Sequence, residues 1–124
     1  MTRTYLAIAA LAVLLASCAL AGPAGNPAIR VANRSTRDFD RVLVNFHDQE
    51  VDYGALPAGA TSEYRSTRVA YGYARVEVRI DTTRLVIQPV DFVGETPLGG
   101  GNYTYVLTIA ADGRGLQQSL ERDD

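Results

Sequence analysis

Tyr71 to Asp81, YGYARVEVRID, alternates more strictly than any other stretch of this 124-residue chain. Gly72, Ala74, Val76, Val78 and Ile80 fall on one side of an extended backbone; Tyr71, Tyr73, Arg75, Glu77 and Arg79 fall on the other. Successive side chains of a strand point to opposite faces, so the first set predicts a core face and the second an outer face.

The same reading extends in both directions. Downstream, Asp81, Thr82 and Thr83 predict a tight turn into a strand from Arg84 to Asp91, where Pro89 implies a bulge or an edge position. Leu98 and three glycines lead to a strand from Asn102 to Ala110, with Tyr103, Tyr105, Leu107 and Ile109 on one face. Asp112 and Gly113 signal a hairpin, and Gly115 to Glu121 returns as the last strand. Upstream, strands are predicted at Ala28 to Asn33, Arg41 to Asp48, Glu50 to Leu56 and Thr61 to Thr67, the last suited to an edge. Val42, Val44 and Phe46 share one face of the second of these. No helical periodicity interrupts the pattern from residue 28 to residue 124. The expected fold is all-β: a single antiparallel sandwich of about seven strands, with a small barrel as its competitor. Its predicted core holds Val42, Val44, Phe46, Ala74, Val76, Val78, Ile80, Leu85, Ile87, Tyr105, Leu107 and Ile109.

The N-terminus reads differently. Arg3 precedes an apolar run from Tyr5 to Leu15, too short for a membrane span of ~20 residues but suited to a secretion signal. The run closes on Leu15, Ala16, Ser17 and Cys18, and Cys18 is the only cysteine. That ending resembles the bacterial lipoprotein signal, or lipobox. The resemblance implies a signal peptide at 1–17, removed by cleavage, and a covalent lipid on Cys18, with acylation of the new amine. It further implies a cell-envelope location, and Ala19, in place of the aspartate that favours inner-membrane retention, favours the outer membrane. Two or three acyl chains would anchor stably, since each buried methylene contributes ~0.8 kcal/mol. Residues 18–27 then form a Gly-, Ala- and Pro-rich tether reaching at most ~30 Å at ~3.3 Å per residue.

The domain's own phrases, IRVANRS, DYGALPAGATSEY and PVDFVGETPLGGGNYTYVLTI, resemble small uncharacterised bacterial lipoproteins with an immunoglobulin-like or transthyretin-like sandwich. The resemblance covers nearly all of Ala28 to Ile109 and implies fold and location, with no catalytic residues. The His and Arg constellation and the Tyr-Arg-Gly-Ser ending of transthyretin-like hydrolases are absent, since the chain ends in LERDD.

Composition narrows the chemistry. The net charge is −2, and loss of Arg3 with the signal makes the mature chain one charge more acidic, so no basic excess points to nucleic acid. Lipidation of Cys18 leaves neither a disulfide nor a free thiol. His47 is the only histidine and so the only imidazole base for a nucleophile. One His and a lipidated cysteine make no zinc site. Asp38, Asp40, Asp48, Glu50 and Asp52 form a calcium alternative, although Arg34, Arg37 and Arg41 interleave with them as ion-pair partners. Gly99, Gly100 and Gly101 lack the lysine of a phosphate loop and read as a turn, and Asn33–Ser35 and Asn102–Thr104 match glycosylation acceptors.

Tyr71, Tyr73, Arg75, Glu77 and Arg79 therefore form the candidate binding face, because Tyr and Arg offer large contact area with a polar end. The competing reading is a solvated sheet face bearing cross-strand ion pairs. The functional expectation is a non-enzymatic, lipid-anchored envelope module that binds protein or envelope polymer, without a cofactor. The alternative is a small hydrolase or calcium-dependent accessory protein using His47 and the neighbouring carboxylates.

Overall fold

The computed structural model describes residues 25–47, 49–89 and 96–123. The expected signal peptide, Cys18, the tether up to residue 24, and Asp48 lie outside the described residues.

Eight strands follow one another: β1 (Pro27–Asn33), β2 (Phe39–Phe46), β3 (Gln49–Leu56), β4 (Arg65–Ser66), β5 (Arg75–Ile80), β6 (Thr83–Ile87), β7 (Gly101–Ile109) and β8 (Leu116–Arg122). Among the described residues there is no helix. The strands form two four-stranded sheets, ordered β4-β1-β7-β8 and β3-β2-β5-β6. Every pairing is antiparallel except one: β1 runs parallel to β7, from Pro27 opposite Gly101 to Asn33 opposite Leu107. The expectation of a wholly antiparallel sandwich is corrected there. A parallel pair cannot be closed by a hairpin, and the intervening chain builds the second sheet first.

The inner faces pack over one core. Ile29, Val31, Tyr103, Tyr105 and Leu107 come from the first sheet, and Val42, Val44, Phe46, Val76, Val78, Ile80 and Leu85 from the second. The predicted core residues are all buried except Ile87 and Ile109, which are half-buried and pack against the rest. Each fully buried Val, Leu, Ile or Phe contributes ~1.5–3 kcal/mol, and no disulfide among the described residues assists them. Phe46 stacks on Tyr105 across the sheets with ring centroids 5.9 Å apart. Tyr105 Oη donates to the Tyr71 carbonyl at 2.6 Å, and Tyr53 Oη donates to the Ile29 carbonyl at 2.8 Å. Buried phenols thus fasten one layer to the other while satisfying their own polar ends. Burial pushes the Tyr53 phenol well above its ordinary range.

Several boundaries differ from the sequence reading, most at β4, β5 and β6. Strand β5 starts at Arg75 rather than Tyr71, because the preceding segment bonds to the opposite sheet: the Tyr71 carbonyl accepts from Tyr105, and Ala74 N donates to Gln118 Oε1 at 3.4 Å. The strand expected from Thr61 to Thr67 is reduced to β4 and one bridge, Thr61 to Ala32. It is an edge strand, as is β6, which ends at Ile87 before Pro89.

Candidate functional site

Register identifies what β5 presents outward. Val76, Val78 and Ile80 point into the core, so Arg75, Glu77 and Arg79 point away from it. Asn45 stands opposite Arg75, Leu43 opposite Glu77 and Arg41 opposite Arg79 on β2; on the other side Val86 faces Glu77 and Arg84 faces Arg79. Glu50 and Asp52 complete the face on β3, opposite Asn45 and Leu43.

At the centre Glu77 is only 5% exposed, although it lies on the outer face. Arg79 Nε donates to its Oε2 at 2.9 Å, while Arg75 Nη2 and Arg84 Nη1 each lie 3.8 Å from Oε1. The arginine stems cover the carboxylate and their heads remain toward water. A buried carboxylate costs several kcal/mol unless paired, and three guanidinium groups offset that cost here. Arg84 comes from the next strand and was not part of the predicted face. Cross-strand pairing brings it in, which the alternation of a single segment does not reveal.

The two tyrosines part company. Tyr71 is half-buried, its ring 6.3 Å from that of His47 and edge-on to it. Tyr73 is 53% exposed, and Val86 at 36% is the other exposed large apolar side chain among the described residues. Tyr73 lines a small recess with Asn45 and His47. It also lines a groove of about 530 Å³ with Ile87 of β6 and Leu116, Gln117 and Gln118 of β8, which nothing in the linear sequence marks. His47 is exposed and adopts φ 47° in the connection between β2 and β3. That left-handed conformation is a turn requirement, which Asn or Gly also meets.

Three of the carboxylates proposed for calcium, Asp38, Asp40 and Asp52, serve separate local bonds. Asp38 Oδ1 accepts from Ala58 N at 2.9 Å, and Asp40 Oδ2 accepts from Asp81 N at 2.6 Å. Asp52 pairs with Arg41 at 2.8 Å and accepts from Gly54 N at 2.8 Å, next to a register shift where Gly54 takes φ 75°. The Arg41 hydrogen bond, followed by the Gly54 N–H, holds the Asp52 carboxyl below the usual range, and Asp52 in turn raises Arg41. Among the described residues no group of three or more His, Cys, Asp or Glu is arranged to hold a metal ion.

No protein-family model and no curated protein matches the chain. Among solved structures, the NMR structure of a protein from Eubacterium rectale is similar at a TM-score of 0.58 and 12% identity. It covers 81% of this chain and 92% of that one. The likeness is one of fold.

A second polar cluster, on the other sheet, went unread in the sequence. Asp123 Oδ2 accepts from Thr104 Oγ1 at 2.6 Å and from Tyr64 Oη at 2.8 Å, and Arg30 Nε lies 3.5 Å away. The Arg30 guanidinium stacks over the Tyr64 ring at 4.7 Å and donates to Thr104 Oγ1 at 2.9 Å. Its members are scattered from residue 30 to residue 123, so no local motif could announce it.

Proposed function

We propose that this chain is a non-catalytic binding module of the bacterial cell envelope, held at the membrane by lipid on Cys18 and presenting the outer face of β5 and β6 to its partner. The observation that carries the reading is a coincidence of place. Of the two exposed large apolar side chains among the described residues, Val86 stands opposite the buried carboxylate of Glu77 with its three arginines, and Tyr73 lies two residues before β5. Apolar contact area beside oriented guanidinium groups is the composition of a binding hot spot.

The residues put forward for catalysis or calcium favour the same reading by what they do. His47 shapes a turn, and Asp38, Asp40 and Asp52 each accept a main-chain N–H. The lipobox ending at Cys18 supports attachment, and the short tether would keep the domain within ~30 Å of the bilayer. For the scaffold we favour the transthyretin-like over the immunoglobulin-like form of the sandwich. Immunoglobulin constant domains carry their first, second, fourth and fifth strands in one sheet. Here β1 and β2 lie in opposite sheets.

In-cell photocrosslinking from position 73 tests the reading in the wild-type chain and in Cys18→Ser, with position 58 on an exposed turn as control. A discrete adduct from 73 that is absent from 58, together with release of Cys18→Ser from the membrane fraction, is expected. Membrane attachment that survives Cys18→Ser, or identical smears from both positions, would sink it.

A further inference from the structure

We infer that a partner protein supplies an extended segment to this module, which adds to the free edge of β8 as an antiparallel strand and lays its inward side chains in the groove beside Tyr73. The inference rests on the binding-module reading and adds the form in which the partner is held.

Pairing with β7 leaves half of the β8 main chain unused. Asp123 N donates to the Asn102 carbonyl, and the Gly115 carbonyl accepts from Ala110 N. Bonded and non-bonded positions alternate along an antiparallel pair. Gln117, Ser119 and Glu121, opposite Thr108, Val106 and Thr104, therefore bond to β7. Leu116, Gln118 and Leu120 turn their N–H and C=O groups the other way. Strand β8 ends its sheet, and among the described residues no strand takes these groups up.

The other three sheet edges are blunted, and β8 is not. Edges are ordinarily protected by shortness, charge, proline or bulges. Strand β4 has two residues, and β6 has five and stops before Pro89. Strand β3 meets β2 through register shifts and carries Glu50 and Asp52. Strand β8 keeps unbroken register with β7 over seven residues, holds neither Pro nor Gly, and is uncharged from Leu116 to Leu120.

The groove of about 530 Å³ follows this edge. Gln117 and Ser119 line it from the outer face of β8, Leu116 and Gln118 from the inner face, and Ile87 and the exposed Tyr73 stand across from them. None of its lining residues is charged. A strand laid along β8 points alternate side chains toward Leu116, Ile87 and Tyr73, so the segment it fits alternates apolar with polar residues.

The anchored geometry disfavours a second copy of this chain as the occupant. Strand β8 runs opposite to β7 and hence to β1, so it descends toward the end of the sandwich where Pro27 begins β1. With lipid on Cys18, copies in one leaflet all point β8 toward the membrane. Antiparallel pairing of two β8 strands needs a two-fold axis that inverts one copy. Inversion lifts that copy's tether end by about the length of the strand, ~23 Å at ~3.3 Å per residue, against a tether reach of ~30 Å.

The test uses the full chain, purified in detergent, on an array of immobilised peptides as long as β8 in which Val, Leu, Phe or Tyr alternates with Thr. Retention on at least one peptide is expected. N-methylation of one alternate set of its amides should abolish that retention, and methylation of the other set should preserve it, because only one set faces β8. Gln118→Pro removes an edge N–H and no bond to β7, and should weaken retention about tenfold relative to Gln118→Ala, which keeps the N–H. Tyr73→Ala should also weaken it about tenfold. Should Gln118→Pro fail to fold, the two methylated peptides decide alone. No retention on any peptide, equal effects of the two methylation patterns, or Gln118→Pro matching Gln118→Ala would overturn the inference. So would a concentration-dependent dimer of the chain that Gln118→Pro dissolves. A discrete protein adduct from position 73 in cells, combined with no peptide retention, would overturn it while leaving the binding-module reading standing.

Discussion

Asn33 is fully buried at the end of β1, and its amide serves two separate stretches of chain. Its Nδ2 donates to the carbonyls of Arg37 at 2.7 Å and Leu56 at 2.9 Å, and its Oδ1 accepts from Ser35 N at 3.0 Å and Ser35 Oγ at 2.7 Å. The main chain of Asn33 adds bonds to Ala60 and Gly59. The residue therefore closes the crossing from β1 to β2 and holds it against the end of β3. Replacement by Ala strands these partners in a dry site, and Asn33→Ala should cost about 2–3 kcal/mol. Urea denaturation would measure it, and a loss below about 0.5 kcal/mol would show that solvent reaches the site. With both amide hydrogens engaged and no exposed surface, Asn33 is closed to glycosylation in the folded chain, although its sequence matches an acceptor. The sequence offered Asn-Arg-Ser and no sign that the Asn faces inward, because the strand's alternation ends there and only tertiary neighbours define its surroundings.

At the scale of elements, the sequence placed a strand at or near each of the eight described, and turn residues marked the hairpins. Asp112 and Gly113 do join β7 to β8, with Gly113 at φ 75°, and Asp81 takes φ 53° in the turn from β5 to β6. What alternation overstated was length: at Tyr71–Ala74, where the backbone bonds to side chains of the other sheet; at Thr61–Thr67, where the Ser62 hydroxyl takes the Val31 N–H; and beyond Ile87, where β6 ends. The last strand, β8, is an edge, and its C-terminal end is pinned by Asp123 through Thr104, Tyr64 and Arg30. Edge strands fray unless tied down. Asp123→Ala should lower stability by about 1–2 kcal/mol, because hydrogen bonds to an ionised carboxylate are among the stronger ones. Hydrogen exchange at Leu120, Glu121 and Arg122 should accelerate more than at Val76 or Val78. Uniform acceleration would place the loss in global stability rather than in fraying of β8.

Over the whole molecule, the central pairing of the first sheet joins β1 to β7, and the Arg30–Thr104 bond across it spans 74 positions. Such closure must be paid in chain entropy before the parallel ladder rewards it. Refolding from urea should therefore take milliseconds to seconds, as in other domains dominated by non-local pairing. Stopped-flow fluorescence of the tyrosines would follow it, and a microsecond phase completing the core would contradict this order of events. The amino-acid sequence by itself determined the strand class, the inward residues from Val42 to Leu107, and the outward row of β5, because side-chain alternation belongs to each strand alone. Only the tertiary structure decided that β1 lies between β4 and β7, that Arg84 joins Glu77, that Tyr73 is exposed while Tyr71 is half-buried, and that Asp123 closes on Arg30. These are contacts between distant segments. Their partners follow from strand order and from the path of the crossovers, and a period of two along one segment carries neither.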